Sequence, residues 1–92
     1  MIKTFKNKDL KELFEVGSSS KILQDQHKRI KTRLSALDSA VTLSQLSVPG
    51  FNTHPLNGFD PTRYALSVNK VWRITFEFSN GDAYNVDLEQ YH

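Results

Sequence analysis

Four residues of this chain could together act on a phosphate group. Tyr91 and His92 are the last two residues, and they directly follow an alternating pattern that predicts a β-strand able to hold them in place. His54 precedes a proline in a predicted loop, and Arg73 lies in the middle of another predicted strand. An imidazole can give or take a proton near neutral pH. A guanidinium on a rigid strand suits bidentate contact with a phosphate.

Each of these residues also has a plainer interpretation. His54 can be a surface histidine bonded to a neighbour, and its position alone favours that interpretation. Arg73 can equally form a cross-strand pair with Asp87. Tyr91 and His92 can pack together on the sheet edge. The residue types therefore indicate phosphate chemistry without excluding a structural role.

Two further basic residues and one histidine are weaker candidates. Lys70 and Arg63 lie in predicted loops or at strand ends near the sheet, where they could add positive charge. Ordinary solvated charge is the simpler interpretation of each. His27 falls in a basic helix and is interpreted as structural or surface-lying. No two histidines have the i, i+4 spacing of a helical zinc site, so the sequence argues against a bound metal.

The length predicts a single domain spanning residues 1–92. Hydrophobic residues make up 38% and charged residues 24%, which is typical of a soluble globular chain. The absence of cysteine excludes disulfides and thiol catalysis and suits a reducing cytoplasm. No apolar run reaches the length of a membrane helix, and the N-terminal residues lack the apolar h-region of a signal peptide. We therefore expect a cytoplasmic protein without membrane contact.

Basic residues are concentrated in the first third of the chain. Residues 1–33 hold nine Lys and Arg against four acids, a net charge of +5, whereas residues 34–92 have a net charge of −3. Such asymmetry can present one basic face to a polyanion. A solvated helix surface explains it as well, and charge alone slightly favours that interpretation.

Two helices are predicted in the N-terminal half. Asn7 can cap a helix that begins at Lys8, and Gly17 can end it. A second helix should run from about Asp25 to Ala40. Its apolar residues are spaced four, three and four apart, as on one helix face: Ile30, Leu34, Leu37 and Val41. Its basic residues fall mostly off that face: Lys28, Arg29, Lys31 and Arg33.

Strands are predicted on either side of these helices. Met1–Phe5 alternates and predicts a short first strand, while residues 51–61 have the composition of a loop. Three more strands are predicted at residues 64–68, 72–78 and 84–88. The pattern predicts an α+β domain in which two N-terminal helices pack on one face of a mainly antiparallel, twisted sheet.

The turn at residues 79–81 determines the register of the last hairpin. A two-residue Asn80-Gly81 loop would oppose Phe76 to Asn85 and mix polar with apolar residues on one face. A three-residue loop with Gly81 in the left-handed conformation keeps one face apolar, so we expect that loop. It predicts these pairs: Phe76–Tyr84, Ile74–Val86, Trp72–Leu88, Arg73–Asp87 and Thr75–Asn85.

The order of the segments resembles a known family. After a strand and two helices come the segments Phe51–Gly58, Tyr64–Val68, Val71–Phe76, Asn80–Tyr84 and the terminal Tyr91-His92. No single motif is decisive, but the ordered combination is specific. It is similar to the HigB-type toxins of the RelE/ParE superfamily over essentially the whole chain.

This resemblance implies a RelE-like domain encoded in a type II toxin–antitoxin operon. It implies a ribosome-dependent endoribonuclease that cleaves translated mRNA without a metal or other cofactor, by attack of a ribose 2′-hydroxyl on the adjacent phosphate. The implied partners are the ribosome, mRNA and a HigA-type antitoxin, a helix-turn-helix protein. Operator DNA is reached only through that antitoxin.

Position by position, the resemblance places His54, Arg73, Tyr91 and His92 in the catalytic site. Arg73 would stabilise charge on the phosphate. The two histidines would be acid and base, in an order that the sequence leaves open. Tyr91 would position a nucleotide.

The resemblance also implies RNA- or ribosome-binding roles for Asn57, Arg63 and Lys70. The family often has Lys where this chain has Asn57, and an acidic residue where it has Gln90. Each departure could lower the rate or shift work to Lys70, so we expect a weak or moderate toxin. One alternative is a catalytically weakened paralogue that acts mainly as an antitoxin-binding module and co-repressor. Another is a toxin that does not cleave RNA, because a fold alone does not determine activity.

Overall fold

The computed structural model describes residues 1–91. Its helices are α1, Lys8–Val16, and α2, His27–Ser39, and short 3₁₀ turns occur at Gln24–Gln26 and Leu43–Leu46. Its strands are β1, His54–Leu56; β2, Arg63–Ser67; β3, Trp72–Ser79; and β4, Asp82–Gln90. The strands form one antiparallel sheet in the order β1-β2-β3-β4. The predicted α+β class is confirmed.

Both ends of α1 have the predicted caps. The Asn7 side-chain oxygen accepts hydrogen bonds from the backbone N–H groups of Asp9 and Leu10, at 2.9 and 3.0 Å. Gly17 ends the helix with φ +97°, a left-handed conformation that most residues avoid, and its N–H donates to the Leu13 carbonyl. Helix α2 follows a 3₁₀ turn and ends at Ser39, one residue before the predicted end.

The core lies between the two helices and one face of the sheet. Its fully buried large apolar side chains come from both layers: Leu10, Leu13, Ile30, Leu34, Leu37, Leu46, Leu66, Ile74, Phe76 and Val86. Burial of such surface contributes about 25 cal/mol per Å². Val41 was predicted on the apolar stripe of α2 but is exposed, because the helix stops before it. Within residues 1–91 no helix is long and apolar enough to cross a membrane.

Two predictions about the edges of the sheet are wrong. The segment at Met1–Phe5 is not a strand; it runs parallel to β4 and makes two isolated bridges, Ile2 to Ala83 and Phe5 to Val86. The predicted loop at residues 51–61 contains β1. Its central residue, Pro55, lacks an N–H donor, which restricts such a strand to the sheet edge.

The predicted register of the β3–β4 hairpin is also wrong. Ser79 pairs with Asp82 across a two-residue Asn80-Gly81 turn, in which both residues have positive φ. Further along, a β-bulge at Asn85 (φ +51°) shifts the pairing by one residue. The observed pairs replace the five predicted ones: Glu77–Tyr84, Phe78–Ala83, Thr75–Asp87, Ile74–Leu88, Arg73–Glu89 and Trp72–Gln90. The bulge keeps the apolar residues on the core face. The sequence predicted a three-residue turn with that effect.

Candidate active site

Two of the candidate residues, His54 and Arg73, lie on the sheet face that points away from the helices. Directly opposed residues of antiparallel strands lie on the same face. One cross-strand row contains His54, Ala65, Thr75 and Asp87, and the next contains Ser67, Arg73 and Glu89. His54 and Arg73 are therefore on one face, with backbones about 12 Å apart, two strand spacings across and two residues along.

Arg73 and Tyr91 are in direct contact. The Tyr91 N–H donates to the Val71 carbonyl at 2.9 Å, which continues the pairing of β4 with β3. The Tyr91 side chain then crosses the face, and its hydroxyl donates to Ser67 Oγ at 3.1 Å. The guanidinium carbon of Arg73 lies 5.3 Å from the centre of the Tyr91 ring, a cation–π contact. The structure thus brings together two of the predicted site residues.

The predicted Arg73–Asp87 pair does not form, because the bulge places Glu89 opposite Arg73. Glu89 accepts a hydrogen bond from the Thr75 hydroxyl instead. The ion pairs found within residues 1–91 do not include Arg73, and its buried Nε has no hydrogen-bond partner there. A buried donor without a partner costs about 1–3 kcal/mol. Among residues 1–91, no carboxylate neutralises the charge of Arg73.

Arg63 does not lie on the exposed surface that the sequence suggested. It is 8% exposed on β2, and its guanidinium makes an ion pair with Glu77 at 3.1 Å. It also donates to the Thr75 hydroxyl at 3.1 Å and to the Asn85 carbonyl at 2.9 Å. Sequence reasoning missed this network because its members come from three strands. The structure therefore gives Arg63 a structural position within the sheet.

His54 lies on the edge strand β1, and its Nδ1 is 2.7 Å from the Asn52 carbonyl oxygen. Since a carbonyl oxygen only accepts, Nδ1 must carry the proton, and Nε2 of the neutral ring is left as a proton acceptor. His54 lines a depression of about 240 Å³ that does not include Arg73 or Tyr91. Asn57 is exposed just beyond β1, and His92 lies outside the described residues.

A basic groove adjoins Tyr91 at the end of β2. Its volume is about 530 Å³, and its lining residues are Arg29, Arg33, Gly50, Asn52, Ser67, Val68, Asn69, Lys70 and Tyr91. Lys70, a predicted RNA contact, is thus near Tyr91. For Arg29 and Arg33, charge alone slightly favours a solvated helix surface over a face for a polyanion. Their i, i+4 spacing was the available signal that both lie on one helix face.

His27 has a structural position, as one of its two interpretations proposed. It is buried, and its Nε2 lies 3.1 Å from the Ser19 carbonyl oxygen and 2.8 Å from that of Ile22. This ring therefore holds the segment that leads into α2. In the described part of the chain, no three His, Asp or Glu side chains are grouped closely enough to hold a metal ion.

Two helices on a four-stranded antiparallel sheet form a small α+β domain of the RelE-like kind. Residues 3–92 match the family described as the RelE-like toxin of the type II toxin–antitoxin system HigB. The chain is also 44% identical over 92 residues to Endoribonuclease HigB of Proteus vulgaris, and the match covers all of both chains. The chain belongs to the HigB-like toxin family. Its partner in such a system is an antitoxin.

Proposed function

We propose that this protein is a ribosome-dependent endoribonuclease that cleaves mRNA during translation. The relative from Proteus vulgaris is named an endoribonuclease, which supports RNA cleavage here. The observation that carries the proposal is the Arg73 guanidinium. It has no carboxylate partner among residues 1–91, rests over the Tyr91 ring, and lies on the same sheet face as His54.

The proposed reaction is an intramolecular transesterification of the RNA. The ribose 2′-oxygen attacks the adjacent phosphorus, the bond to the 5′-oxygen breaks, and a 2′,3′-cyclic phosphate and a 5′-hydroxyl end result. Negative charge builds up on the phosphate oxygens, where Arg73 would donate hydrogen bonds. Loss of one such donor typically costs about 10²- to 10³-fold in rate.

His54 is the proposed general base. Its Nδ1–H donates to the Asn52 carbonyl, so Nε2 can accept the proton of the 2′-hydroxyl. His92, which lies outside the described residues, is then the proposed acid that protonates the departing 5′-oxygen. Tyr91 would position the nucleotide, since its hydroxyl and ring are held by Ser67 and Arg73.

We expect a weak or moderate toxin because two exposed residues depart from the pattern of the family. Asn57 contributes no cation beyond β1, and Gln90 contributes no carboxylate before Tyr91. Lys70 shares the basic groove with Tyr91 and can supply part of the missing positive charge. We therefore expect slower cleavage at this site rather than none.

The proposed partners follow from the same assignment. A HigA-type helix-turn-helix antitoxin would inhibit the toxin and carry it to operator DNA, which the toxin itself does not bind. Ribosomes and translated mRNA in the cytoplasm would be its targets. Basic loops would help to seat the protein on ribosomal RNA.

Expression of the toxin without its antitoxin tests the proposal. We expect growth arrest and transcript ends that map to codons, and we expect Arg73→Ala or His92→Ala to relieve both. Lys11→Ala, an exposed change of equal charge on α1, should remain toxic. If the Arg73 and His92 variants both stay fully toxic, the site is elsewhere. If the wild type causes no arrest but binds the antitoxin tightly, the protein is the weakened binding module.

A further inference from the structure

The basic groove has a charge distribution suited to an anionic strand. Arg29, Arg33 and Lys70 contribute three cations, and no acidic residue is among the residues that line the groove. The amide side chains of Asn52 and Asn69 and the Ser67 hydroxyl add neutral hydrogen-bonding groups. Phosphate oxygens joined by sugars are the ligand that such a surface fits.

Two of these cations are held in place before any ligand arrives. The Arg29 guanidinium donates to the Val68 carbonyl at 3.2 Å, and Arg33 Nε donates to the Ser67 carbonyl at 2.5 Å. The Arg33 guanidinium also lies 4.8 Å from the centre of the Phe51 ring. Because these side chains are already ordered, a ligand avoids part of the usual cost of immobilising them, about 0.5–1.5 kcal/mol each.

The two arginines are placed at some electrostatic cost. Partial burial and the neighbouring charge of Arg29 together lower the pKa of Arg33. Arg29 and Arg33 lie one helical turn apart, and both donate to carbonyls at the end of β2. Their like charges therefore repel each other. An anion in the groove would relieve that repulsion.

The groove is continuous with the candidate active site. Ser67 and Tyr91 line it, and the same two side chains are hydrogen-bonded beside Arg73. We propose that the groove is a second RNA site, which binds backbone phosphates of the mRNA strand next to the cleaved linkage. This inference rests on the proposed endoribonuclease function and adds Arg29 and Arg33 to its RNA-binding residues.

The test uses the full-length protein and a short 2′-O-methyl RNA, which the enzyme cannot cleave because the attacking oxygen is blocked. In NMR titrations we expect shifts of the Arg29 and Arg33 Nε–H signals and of the Asn69 and Lys70 amides, but none at Lys11. Arg29→Gln and Lys70→Gln should weaken binding several-fold for all sequences. Each should reduce the slope of log K against log salt by about 0.7 for every phosphate that the variant no longer neutralises. Lys11→Gln is the matched control.

Three outcomes would overturn the inference. They are an absence of shifts in the groove at millimolar RNA, equal weakening by Lys11→Gln, and an equal loss of affinity for ribosomes without mRNA. The last result would place ribosomal RNA in the groove. None of them depends on cleavage, so wild-type activity on programmed ribosomes would still support the proposed function. A wild type that binds the RNA but cleaves no mRNA would remove the function and leave the groove as an RNA site.

Discussion

The guanidinium of Arg73 rests over the ring of Tyr91, 5.3 Å from its centre. Tyr91 is anchored at two further points, by its backbone N–H on Val71 and by its hydroxyl on Ser67. It therefore links the end of β4 to β2 across Arg73. A cation–π contact of this kind contributes about 0.5–2 kcal/mol, depending on its exposure. Tyr91 thus orients the charge that we propose to act on the phosphate.

Substitutions at Tyr91 separate the role of its ring from that of its hydroxyl. Tyr91→Phe keeps the ring under Arg73 and should retain mRNA cleavage within a few-fold of wild type. Tyr91→Ala removes both and should lower the rate at least about tenfold, the equivalent of 1.4 kcal/mol. Single-turnover cleavage on programmed ribosomes measures both. Equal losses in the two variants would show that the hydroxyl, not the ring, matters.

Substitution of His54 should affect mRNA cleavage, whereas substitution of His27 should affect stability. His54→Ala removes the proposed base and should lower cleavage by about 10²- to 10⁴-fold with little change in urea stability. His27→Ala leaves the carbonyls of Ser19 and Ile22 without their donor and should destabilise the fold by about 1–3 kcal/mol. Urea unfolding and cleavage assays on both variants check this. A fully active His54→Ala protein would remove that residue from the mechanism.

Arg63→Ala should act on stability rather than on RNA binding. It removes the buried partner of Glu77, Thr75 and Asn85, and loss of one member of such a pair costs about 3–5 kcal/mol. Lys70→Ala, at an exposed residue, should change the free energy of unfolding by less than about 0.5 kcal/mol. Urea titration measures both values. A stable Arg63→Ala protein with weakened RNA binding would contradict the structural assignment.

The bulge at Asn85 can be tested with two small residues. Asn85→Gly and Asn85→Ala both remove the side-chain bond to Glu77, but only glycine adopts φ +51° without strain. The alanine variant should therefore be about 1–2 kcal/mol less stable than the glycine variant. Thermal or urea unfolding measures the difference. Equal stability would mean that the left-handed conformation at this position is not required.

Asn57→Lys should raise activity if the missing cation limits the rate. The residue is exposed beyond β1, so the change should not perturb the fold. We expect several-fold faster cleavage and stronger growth arrest, whereas Asn57→Gln should match the wild type. Growth on induction and single-turnover rates provide the comparison. A lysine variant no faster than the glutamine variant would remove Asn57 as the cause of weak activity.

The sequence predicted those features that depend on neighbouring residues. The caps of α1 at Asn7 and Gly17 follow from local backbone chemistry, and both are found. The helix pattern and the three long strands are likewise local, so the α+β class could be predicted. Arg73 could be placed on the polar face because strand alternation alone determines it.

Features that depend on distant residues could not be predicted. Alternation does not show that Asn85 would form a bulge. The sequence therefore predicted Asp87 opposite Arg73, whereas the structure has Glu89 there. The burial of Arg63 depends on groups from β3 and β4. Arg29 looked like ordinary solvated charge because its carbonyl partner, Val68, is 39 residues away.

The hairpin contains two stretches of different register, separated by Asn85. The tip pairs Phe78 with Ala83, while the inner stretch pairs Arg73 with Glu89. If the turn gains or loses one residue, the bulge can absorb the resulting change of register. The inner stretch then keeps each side chain on the same face of the sheet. A hairpin tip of different length is therefore compatible with the same placement of Arg73 on the sheet.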